Sequence, residues 1–218
     1  MRLKEIDQVI RILKRASKRW AMPSVTFVAV HTNDPFQILI STLLSLRTKD
    51  ATTTEASKRL FALAHTPEKM RKLHPKQIER VIYPVGFYKT KAKRIIEICN
   101  TLIKQYSGKV PDSMDKLLEL KGVGRKTANL VLTLGFGKDG ICVDTHVHRI
   151  SNRLGIVKTK TPHETEFALM KVLPKKYWII YNDLLVSFGQ NLCAPISPWC
   201  SKCPIEKFCP RISVQSSR

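Results

Sequence analysis

The spacing of apolar residues along the chain predicts helices. Residues 4–19 place Ile6, Ile10 and Leu13 on one face of a helix, with basic side chains on the opposite face and beyond it. No stretch of the sequence sustains the alternation of apolar and polar residues that is typical of a half-buried strand. The pattern therefore predicts an all-α protein.

Helix-start signals mark the next elements. Asp34 can cap a helix and Pro35 suits its first turn, and the residues that follow, 36–46, are apolar on nearly every side. We therefore expect a central, buried helix at 36–46. By contrast, residues 20–33 contain a proline and short β-branched pieces, and they are predicted to form an irregular connection.

Similar signals predict the remaining helices. Ser113 is expected to cap the first helix of a hairpin, and residues 161–164 have the sequence of a capping box. Gly108 should end a long helix. The predicted ranges are 53–64, 90–106, 145–154 and 177–188, with short helices opening at Pro67 and Pro75.

A Gly-Val-Gly turn at residues 122–124 interrupts the helical pattern. Two glycines around one apolar residue allow a tight turn, and the helix that follows has an N-terminus of the kind that binds anions. Three basic residues add positive charge at the turn: Lys121, Arg125 and Lys126. A phosphate of a nucleic-acid backbone is the best ligand for this arrangement, although an ordinary helix–turn–helix corner with solvated lysines has the same pattern.

Composition and charge narrow the class of protein. The chain has 218 residues and a hydrophobic content of 43%, enough for one large or two small globular domains. Its net charge is +21, from 38 Lys and Arg against 17 Asp and Glu, which predicts a polyanionic partner, most simply nucleic acid. A basic protein of membrane surfaces is the competing class, but we find no lipidation motif and no apolar run of about 18 residues in the sequence.

The cysteines indicate a metal site. The start of the chain has no signal-peptide core, so we expect an intracellular protein, in the cytoplasm or nucleoid or in a eukaryotic nucleus, without a disulfide framework. Four of the six cysteines have the spacing C-x6-C-x2-C-x5-C: Cys193, Cys200, Cys203 and Cys209. Zinc usually takes paired C-x2-C units, and a compact group of four thiolates also suits a [4Fe–4S] cluster, so the spacing alone leaves both metals open. Cys99 and Cys142 lie in apolar contexts and are expected to be core thiols.

Two segments resemble the helix-hairpin-helix DNA glycosylases of the endonuclease III type. The first reads Leu-x-Gly-Val-Gly-Arg-Lys-Thr-Ala-Asn over 120–129, and the second reads Val-Asp-Thr-His over 143–146. The likeness covers almost the whole chain, from about Asp34 to Cys209. In the first segment it departs at Lys121, where many members have proline. It implies that Lys126 is a nucleophile assisted by Asp144, and that the four spaced cysteines hold a [4Fe–4S] cluster.

The resemblance also implies which residues contact DNA. On the hairpin they are Lys121, Gly122, Val123, Gly124, Arg125 and Thr127. Arg47 follows the helix at 36–46, where the family commonly has glutamine. An arginine there can fill the gap left by an extruded base, or it can make a plain phosphate contact. Phe87, in the loop at 83–88, is the candidate to insert between bases, unless it is a core residue.

Three alternatives stay open, one for the role of Asp144 and two for the function of the protein. Asp144 stands where a helix N-cap belongs, and capping alone is a sufficient role for such an aspartate. Asp50 and His146 are two further residues that we expect near the active-site pocket of Lys126 and Asp144. A mismatch-specific thymine or uracil glycosylase of the same superfamily is the alternative enzyme, although members without the lysine only hydrolyse the base. A non-catalytic DNA-binding protein with a structural metal is the alternative from a different class.

The function implied by the resemblance is base-excision repair. A lysine Schiff base would remove oxidised pyrimidines and cut the strand by β-elimination, which makes the chain a DNA glycosylase with AP lyase activity. We expect a helical barrel domain at 29–141 with the hairpin at about 113–135, an iron–sulfur cluster domain at 1–28 plus 142–218, and the active site in the cleft between these two helical domains. The expected partner is double-stranded DNA with a damaged base or an abasic site; we expect no membrane and a monomer.

Overall fold

The computed structural model describes residues 3–218. Within that range the chain forms α-helices and no strand, which confirms the all-α class. The helices are α1 (Leu3–Ser17), α2 (Ser24–Thr32), α3 (Pro35–Ser45), α4 (Asp50–Leu63), α5 (Pro67–Arg71), α6 (Pro75–Ile82), α7 (Tyr88–Tyr106), α8 (Met114–Glu119), α9 (Arg125–Leu130), α10 (Thr145–Arg153), α11 (Pro162–Val172) and α12 (Trp178–Asn191). A π-helical turn follows α9 at Val131–Gly135, and short 3₁₀ turns lie at Lys175–Tyr177, Cys200–Lys202 and Glu206–Phe208. Over the described residues, no helix has the length and apolar character needed to cross a membrane.

The described chain divides into two compact units. The central unit is Ser24–Lys138, and the terminal unit combines the described residues up to Pro23 with Asp139–Arg218. The boundaries predicted from the sequence, 28/29 and 141/142, lie a few residues away. Residues 1 and 2, which the sequence assigned to the second domain, lie outside the described residues. Each unit has its own hydrophobic core.

α3 is the buried centre of the central unit. Four of its apolar side chains are completely buried: Ile38, Leu39, Ile40 and Leu44. The helix begins as predicted, because Asp34 Oδ1 accepts a hydrogen bond of 2.9 Å from the N–H of Phe36. α3 ends at Ser45, and the chain then reaches the surface of the unit at Arg47.

The prediction of an irregular connection at 20–33 was wrong for most of that range, because Ser24–Thr32 form α2. β-branched residues have low intrinsic helix propensity. However, Val25, Val28 and Ala29 lie at helical spacing and are buried in the core of the central unit. Tertiary packing therefore overrides local propensity in α2.

The terminal unit is built around α1, α10, α11 and α12. α1 buries Ile6, Ile10 and Leu13, as its amphipathic pattern predicts. α12 contributes Tyr181 and Phe188, which are among the largest completely buried side chains of the protein. The same core includes partly buried cysteines of the C-terminal loop, so it fixes where that loop lies.

Two predicted helix caps differ from the structure in detail. Ser113 occupies the N-cap position of α8, but its side chain makes no capping hydrogen bond. At the start of α11, Thr161 Oγ1 accepts from the N–H of Glu164 at 3.2 Å, as a capping box requires. In a capping box the Glu164 carboxylate would accept from the N–H of Thr161. Here it accepts from the N–H of Lys160, at 2.9 Å.

Candidate functional site

The Gly-Val-Gly turn joins α8 to α9 in the central unit. A hydrogen bond of 2.9 Å from the N–H of Val123 to the carbonyl of Leu120 closes the turn, and Val123 is buried in the core. Gly122 has a φ of +84°, in the left-handed region that favours glycine. The buried valine holds the turn on the unit, while the two glycines around it are exposed.

The exposed side of this turn is lined by basic residues. A Cβ atom at Gly122 would lie 2.9 Å from Nε of Arg94, so the Arg94 side chain from α7 packs directly on the glycine. A Cβ atom at Gly124 would meet no other atom within 4 Å. Lys121 is exposed, and its Nζ lies 3.5 Å from Glu97, which also pairs with Arg94 at 2.9 Å. The surface around the two glycines is therefore basic, with one carboxylate neutralising part of the charge.

The first turn of α9 carries Arg125, Lys126 and Thr127. Arg125 and Lys126 are half-buried, whereas the side chain of Thr127 is 2% exposed and belongs to the interior of the unit. Because its side chain is interior, Thr127 is not offered to a ligand in the way that its assignment to DNA binding implies. α9 then runs into the π-helical turn at Val131–Gly135, a distortion that is often found near functional sites.

Asp144 lies in the terminal unit, at the N-cap of α10. Its Oδ1 accepts two backbone hydrogen bonds of 2.9 Å, from the N–H groups of His146 and Val147. The capping role that the sequence left open is thus present in the structure. The carboxylate is half-buried, so capping does not by itself preclude a chemical role.

Arg47 and Phe87 stand side by side on the central unit. Both are non-glycine residues in the left-handed region, with φ of 52° and 58°. Phe87 is 62% exposed, which excludes the core role that the sequence left open. The guanidinium carbon of Arg47 lies 5.7 Å from the centre of the Phe87 ring, a cation–π distance. Strained, exposed residues of this kind are typical of functional loops.

A groove of about 450 Å³ connects these two residues to the hairpin. It lies within the central unit and is lined by Leu43, Leu46, Arg47, Phe87, Thr90, Lys91, Arg94 and Gly122. The resemblance implied DNA contacts for Arg47, Phe87 and Gly122, and the structure brings these three residues to one surface. Their proximity could not be read from segments 35 or more residues apart in the chain.

Lys91 is a residue of this groove whose role the sequence did not reveal. It lies in a basic stretch of the sequence, between Lys89 and Lys93, but it is only 9% exposed. Its Nζ donates to the carbonyls of Leu44 and Leu46, at 2.8 and 2.6 Å, and to Thr48 Oγ1 at 3.2 Å. A signal existed, because Lys91 lies four residues before Ile95 and so falls on the buried face of α7.

Asp50 and His146, the two further residues that were expected near the pocket, make contacts within their own units. Asp50 Oδ1 accepts a hydrogen bond of 3.0 Å from Ser24 Oγ, which ties α4 to the start of α2 within the central unit. His146 Nδ1 lies 3.1 Å from Nη2 of Arg149, within α10 of the terminal unit. The structure therefore gives Asp50 and His146 positions in different units and provides no direct support for a pocket role.

The four spaced cysteines line one cavity of the terminal unit, bounded by α10, α12 and the C-terminal loop. In the residues the structure describes, they do not form a group of three or more ligands that could hold a single metal ion. Burial raises the pKa of the Cys203 thiol to about 11 and also raises that of Cys209. Nη1 of buried Arg153 lies 3.4 Å from Cys193 Sγ and donates to the carbonyl of Ala194 at 2.7 Å. The cavity thus offers four thiols and an adjacent cation.

The other two cysteines are core thiols, as predicted. Cys99 and Cys142 are 0% and 1% exposed, and each is a free thiol. Burial raises the pKa of Cys99 to about 12, so this thiol stays protonated at physiological pH. Neither residue lines the cavity of the four spaced cysteines.

Comparison with known proteins identifies the family of the chain. Residues 40–175 match the HhH-GPD superfamily of base excision DNA repair proteins. Endonuclease III of Thermotoga maritima is 52% identical over 176 residues, which are 81% of this chain and 83% of the relative.

Solved structures of related proteins have the same fold. The structure of a non-covalent endonuclease III–DNA complex superimposes with a TM-score of 0.85 at 34% identity, covering 97% of this chain and 96% of the other. That of a trapped endonuclease III–DNA covalent intermediate superimposes with a TM-score of 0.79 at 36% identity, covering 94% and 95%. The chain therefore belongs to the HhH-GPD superfamily of base excision DNA repair proteins, as a DNA glycosylase/AP lyase of the endonuclease III type.

Proposed function

We propose that Lys126 is the nucleophile of this enzyme and that its substrate is double-stranded DNA containing an oxidised pyrimidine or an abasic site. The observation that carries the proposal is the position of Lys126, in the first turn of α9 and directly after a glycine turn suited to a phosphate. A neutral lysine amine at this position can attack a sugar carbon of a nucleotide whose backbone the turn holds.

The reaction has two bond-changing stages. Nζ of Lys126 attacks C1′ of the damaged nucleotide, the glycosidic bond breaks, and the base leaves with the bonding electrons. Loss of a proton from nitrogen and opening of the sugar ring then give an imine between Nζ and C1′. The imine acidifies the 2′ position, and removal of a 2′ proton expels the 3′ phosphate by β-elimination. Water finally hydrolyses the imine and returns the lysine.

We assign Asp144 the acid–base role. Its carboxylate can accept the proton that the amine loses and can stabilise positive charge that develops on the sugar as the base departs. The two N–H groups that donate to Oδ1 hold the carboxylate in one orientation. Orientation of this kind is what a general base requires, so the cap and the chemistry support each other.

The hairpin is proposed to hold the phosphate backbone. Gly124 has open space where a side chain would project, so a phosphate can approach the main chain closely. Lys121, Arg125 and Arg94 supply positive charge on the same surface. Because Thr127 is buried, we omit its side chain from this contact set. The contact is independent of base sequence, as a repair enzyme that scans DNA needs.

Arg47 and Phe87 are proposed to fill the space that the extruded nucleotide leaves. A glycosylase must take the damaged nucleotide out of the stack before C1′ can be attacked. Phe87 is exposed enough to insert between base pairs, and Arg47 next to it has donors for the unpaired partner base. Their adjacency favours this role of Arg47 over an isolated phosphate contact.

The terminal unit is proposed to hold a [4Fe–4S] cluster on Cys193, Cys200, Cys203 and Cys209. Membership of the endonuclease III family implies a metal cluster. The fit to this chain rests on the shared cavity, because all four thiols line it and a [4Fe–4S] cluster needs four cysteine thiolates. A bound cluster would cross-link residues 193–209 and so order the loop that carries Lys202 and Lys207, two lysines that we propose to face DNA phosphates.

An intracellular location follows from the same proposal. The six cysteines are free thiols in the described structure, and a [4Fe–4S] site needs reduced cysteines. The proposed substrate is also genomic DNA, which lies inside the cell.

The test is cleavage of a duplex with a single thymine glycol by wild-type enzyme, Lys126→Gln and a matched control, Lys121→Gln. Both variants lose one positive charge on the same hairpin. We expect wild type and the control to release the base and cut the strand, and Lys126→Gln to do neither while still binding the duplex, because binding is spread over many phosphates. Strand cleavage by Lys126→Gln would refute the assignment. Base release without cleavage by the wild type would indicate a monofunctional glycosylase instead.

A further inference from the structure

Lys91 is a buried, charged residue that the proposed reaction does not use. It lies on α7 and is 9% exposed. Burial lowers the pKa of its ammonium group to about 8, which shows that the interior opposes the charge. A buried charge generally adds little to stability compared with a well-packed apolar side chain. The contacts of the amine therefore have to account for its presence.

The first set of contacts caps the end of α3. The last carbonyls of a helix have no partner within the helix, and a positive charge at that end is favourable. Nζ of Lys91 donates to the carbonyls of Leu44 and Leu46, and these are residues at the C-terminal end of α3. The segment that is fixed in this way leads directly into Arg47.

The second set of contacts joins the two exposed loops through Thr48. Thr48 Oγ1 accepts from Lys91 Nζ at 3.2 Å and from the N–H of Gly86 at 3.1 Å. Gly86 packs so closely that a Cβ atom there would lie 2.6 Å from the carbonyl oxygen of Arg47. The loop that carries Arg47 and the loop that carries Phe87 are thus bonded to each other beneath their exposed tips.

Lys91 lies in the first turn of α7, the helix whose N-cap is Phe87. Its own N–H donates to the carbonyl of Phe87 at 3.0 Å, as the first hydrogen bond of α7. The far side of the Phe87 loop is held separately, because the Arg59 guanidinium donates to the carbonyls of Val81 and Tyr83, each at 2.8 Å. Lys91 is therefore a side chain of α7 that bonds directly to the Arg47 segment.

We propose that Lys91 is a positioning residue that locks Arg47 and Phe87 into one rigid pair, so that both enter the DNA together when a nucleotide is extruded. The inference rests on the proposed roles of Arg47 and Phe87. The ammonium group has three donors, and they meet three acceptors of the Arg47 segment. Without them, the guanidinium of Arg47 would lose its fixed place over the Phe87 ring.

The experiment compares two lesion contexts under single-turnover conditions. In one duplex a thymine glycol is paired with adenine, and in the other it stands opposite an abasic analogue, where there is no partner base to unpair or to contact. The variants are Lys91→Met, which keeps the length of the side chain without its donors, and Thr48→Val, which removes the shared hydroxyl while Lys91 stays. Circular dichroism at the assay temperature establishes that each variant is folded.

We expect both variants to lose about 10²-fold in the excision rate of the paired lesion, the loss typical of a misplacement of about 1 Å. On the unpaired lesion we expect rates close to those of wild type. Equal losses on both duplexes, or no loss on either, would overturn the positioning role. If Lys91→Met does not fold, the comparison on Thr48→Val decides the question alone.

A second pair of variants separates this inference from the function on which it rests. Arg47→Ala and Phe87→Ala remove the tips themselves and leave the contacts of Lys91 in place. If they excise the paired lesion at the wild-type rate, the insertion role of the tips is wrong. If they are slow while Lys91→Met and Thr48→Val are not, insertion stands and the role of Lys91 is wrong.

Discussion

Asp144 accepts two backbone hydrogen bonds at the start of α10, and we also propose that it exchanges protons with the substrate. One substitution can separate these roles. Asparagine is as good an N-cap as aspartate, but it carries no charge and accepts no proton under these conditions. Asp144→Asn should therefore keep the fold and the affinity for DNA, and should slow base removal by about 10²–10⁴-fold, the usual contribution of a general base.

The matched control is Asp34→Asn, at another aspartate N-cap whose Oδ1 accepts a backbone bond of 2.9 Å. It should leave both the unfolding temperature and the excision rate near those of wild type. Single-turnover excision of thymine glycol, with circular dichroism alongside, makes the comparison. A wild-type rate for Asp144→Asn would reduce Asp144 to a helix cap.

Individual residues also show where sequence reasoning reaches its limit. The catalytic candidates could be found because the hairpin motif and the Val-Asp-Thr-His segment are each an unbroken stretch of sequence that resembles the family. The pairing of Arg47 with Phe87 could not, because it depends on how the end of α3 meets the start of α7. The burial of Lys91 was not predicted either, because the basic residues around it outweighed its helical spacing from Ile95.

The hairpin can be tested as an element through its two glycines. Gly122 has a φ of +84° and contacts Arg94, so Gly122→Ala should destabilise the protein by about 1–2 kcal/mol, the cost of a left-handed alanine. Gly124 has a φ of −101° and open space around it. Gly124 is also the N-cap of α9, where alanine is a poorer cap than glycine, so the entropy gained by Gly124→Ala is offset and stability should change by less than about 0.5 kcal/mol.

The same pair tests phosphate binding. If a phosphate approaches the main chain at Gly124, the added methyl group of Gly124→Ala should weaken binding to duplex DNA although the protein is fully stable. Urea unfolding and equilibrium binding at one fixed salt concentration measure the two effects. Unchanged DNA affinity in Gly124→Ala would argue against the hairpin as a phosphate site.

Helices differed in how well their sequences predicted them. α3 was predicted correctly because its capping signals and its apolar character agree. α2 was missed because its β-branched residues favour extended conformations locally, while its burial in the core of the central unit decides in favour of a helix. Its buried positions do follow helical spacing, so the periodicity was present and was outweighed by composition.

The C-terminal loop is the element with the clearest chemical test. Cys209→Ser should lose iron and sulfide and should weaken DNA binding, because the loop with Lys202 and Lys207 loses its cross-link. Cys99→Ala, at a buried thiol outside the cavity, should cost stability but keep its iron. Metal analysis of protein purified without oxygen measures both. Stoichiometric zinc without iron in the wild type would overturn the cluster.

For the molecule as a whole, the net charge of +21 predicts binding that depends steeply on salt. Each phosphate contact contributes about −0.9 to the slope of log K against log salt concentration. Lys121→Gln should therefore make the slope shallower by about one unit. Lys104→Gln is the control, since this exposed lysine lies ten residues beyond Arg94 on α7, about 15 Å along the helix axis. Equal slopes for Lys121→Gln and wild type would remove Lys121 from the DNA contact.

The central claim is that Lys126 forms a covalent imine with the opened sugar of its substrate. The most direct measurement is to mix the wild-type enzyme with a duplex that contains one abasic site, reduce the complex with borohydride, and identify the modified residue by protease digestion and mass spectrometry. Our account predicts a single cross-linked peptide with the sugar attached to Lys126. A cross-link on any other residue, or no borohydride-dependent cross-link, would contradict it.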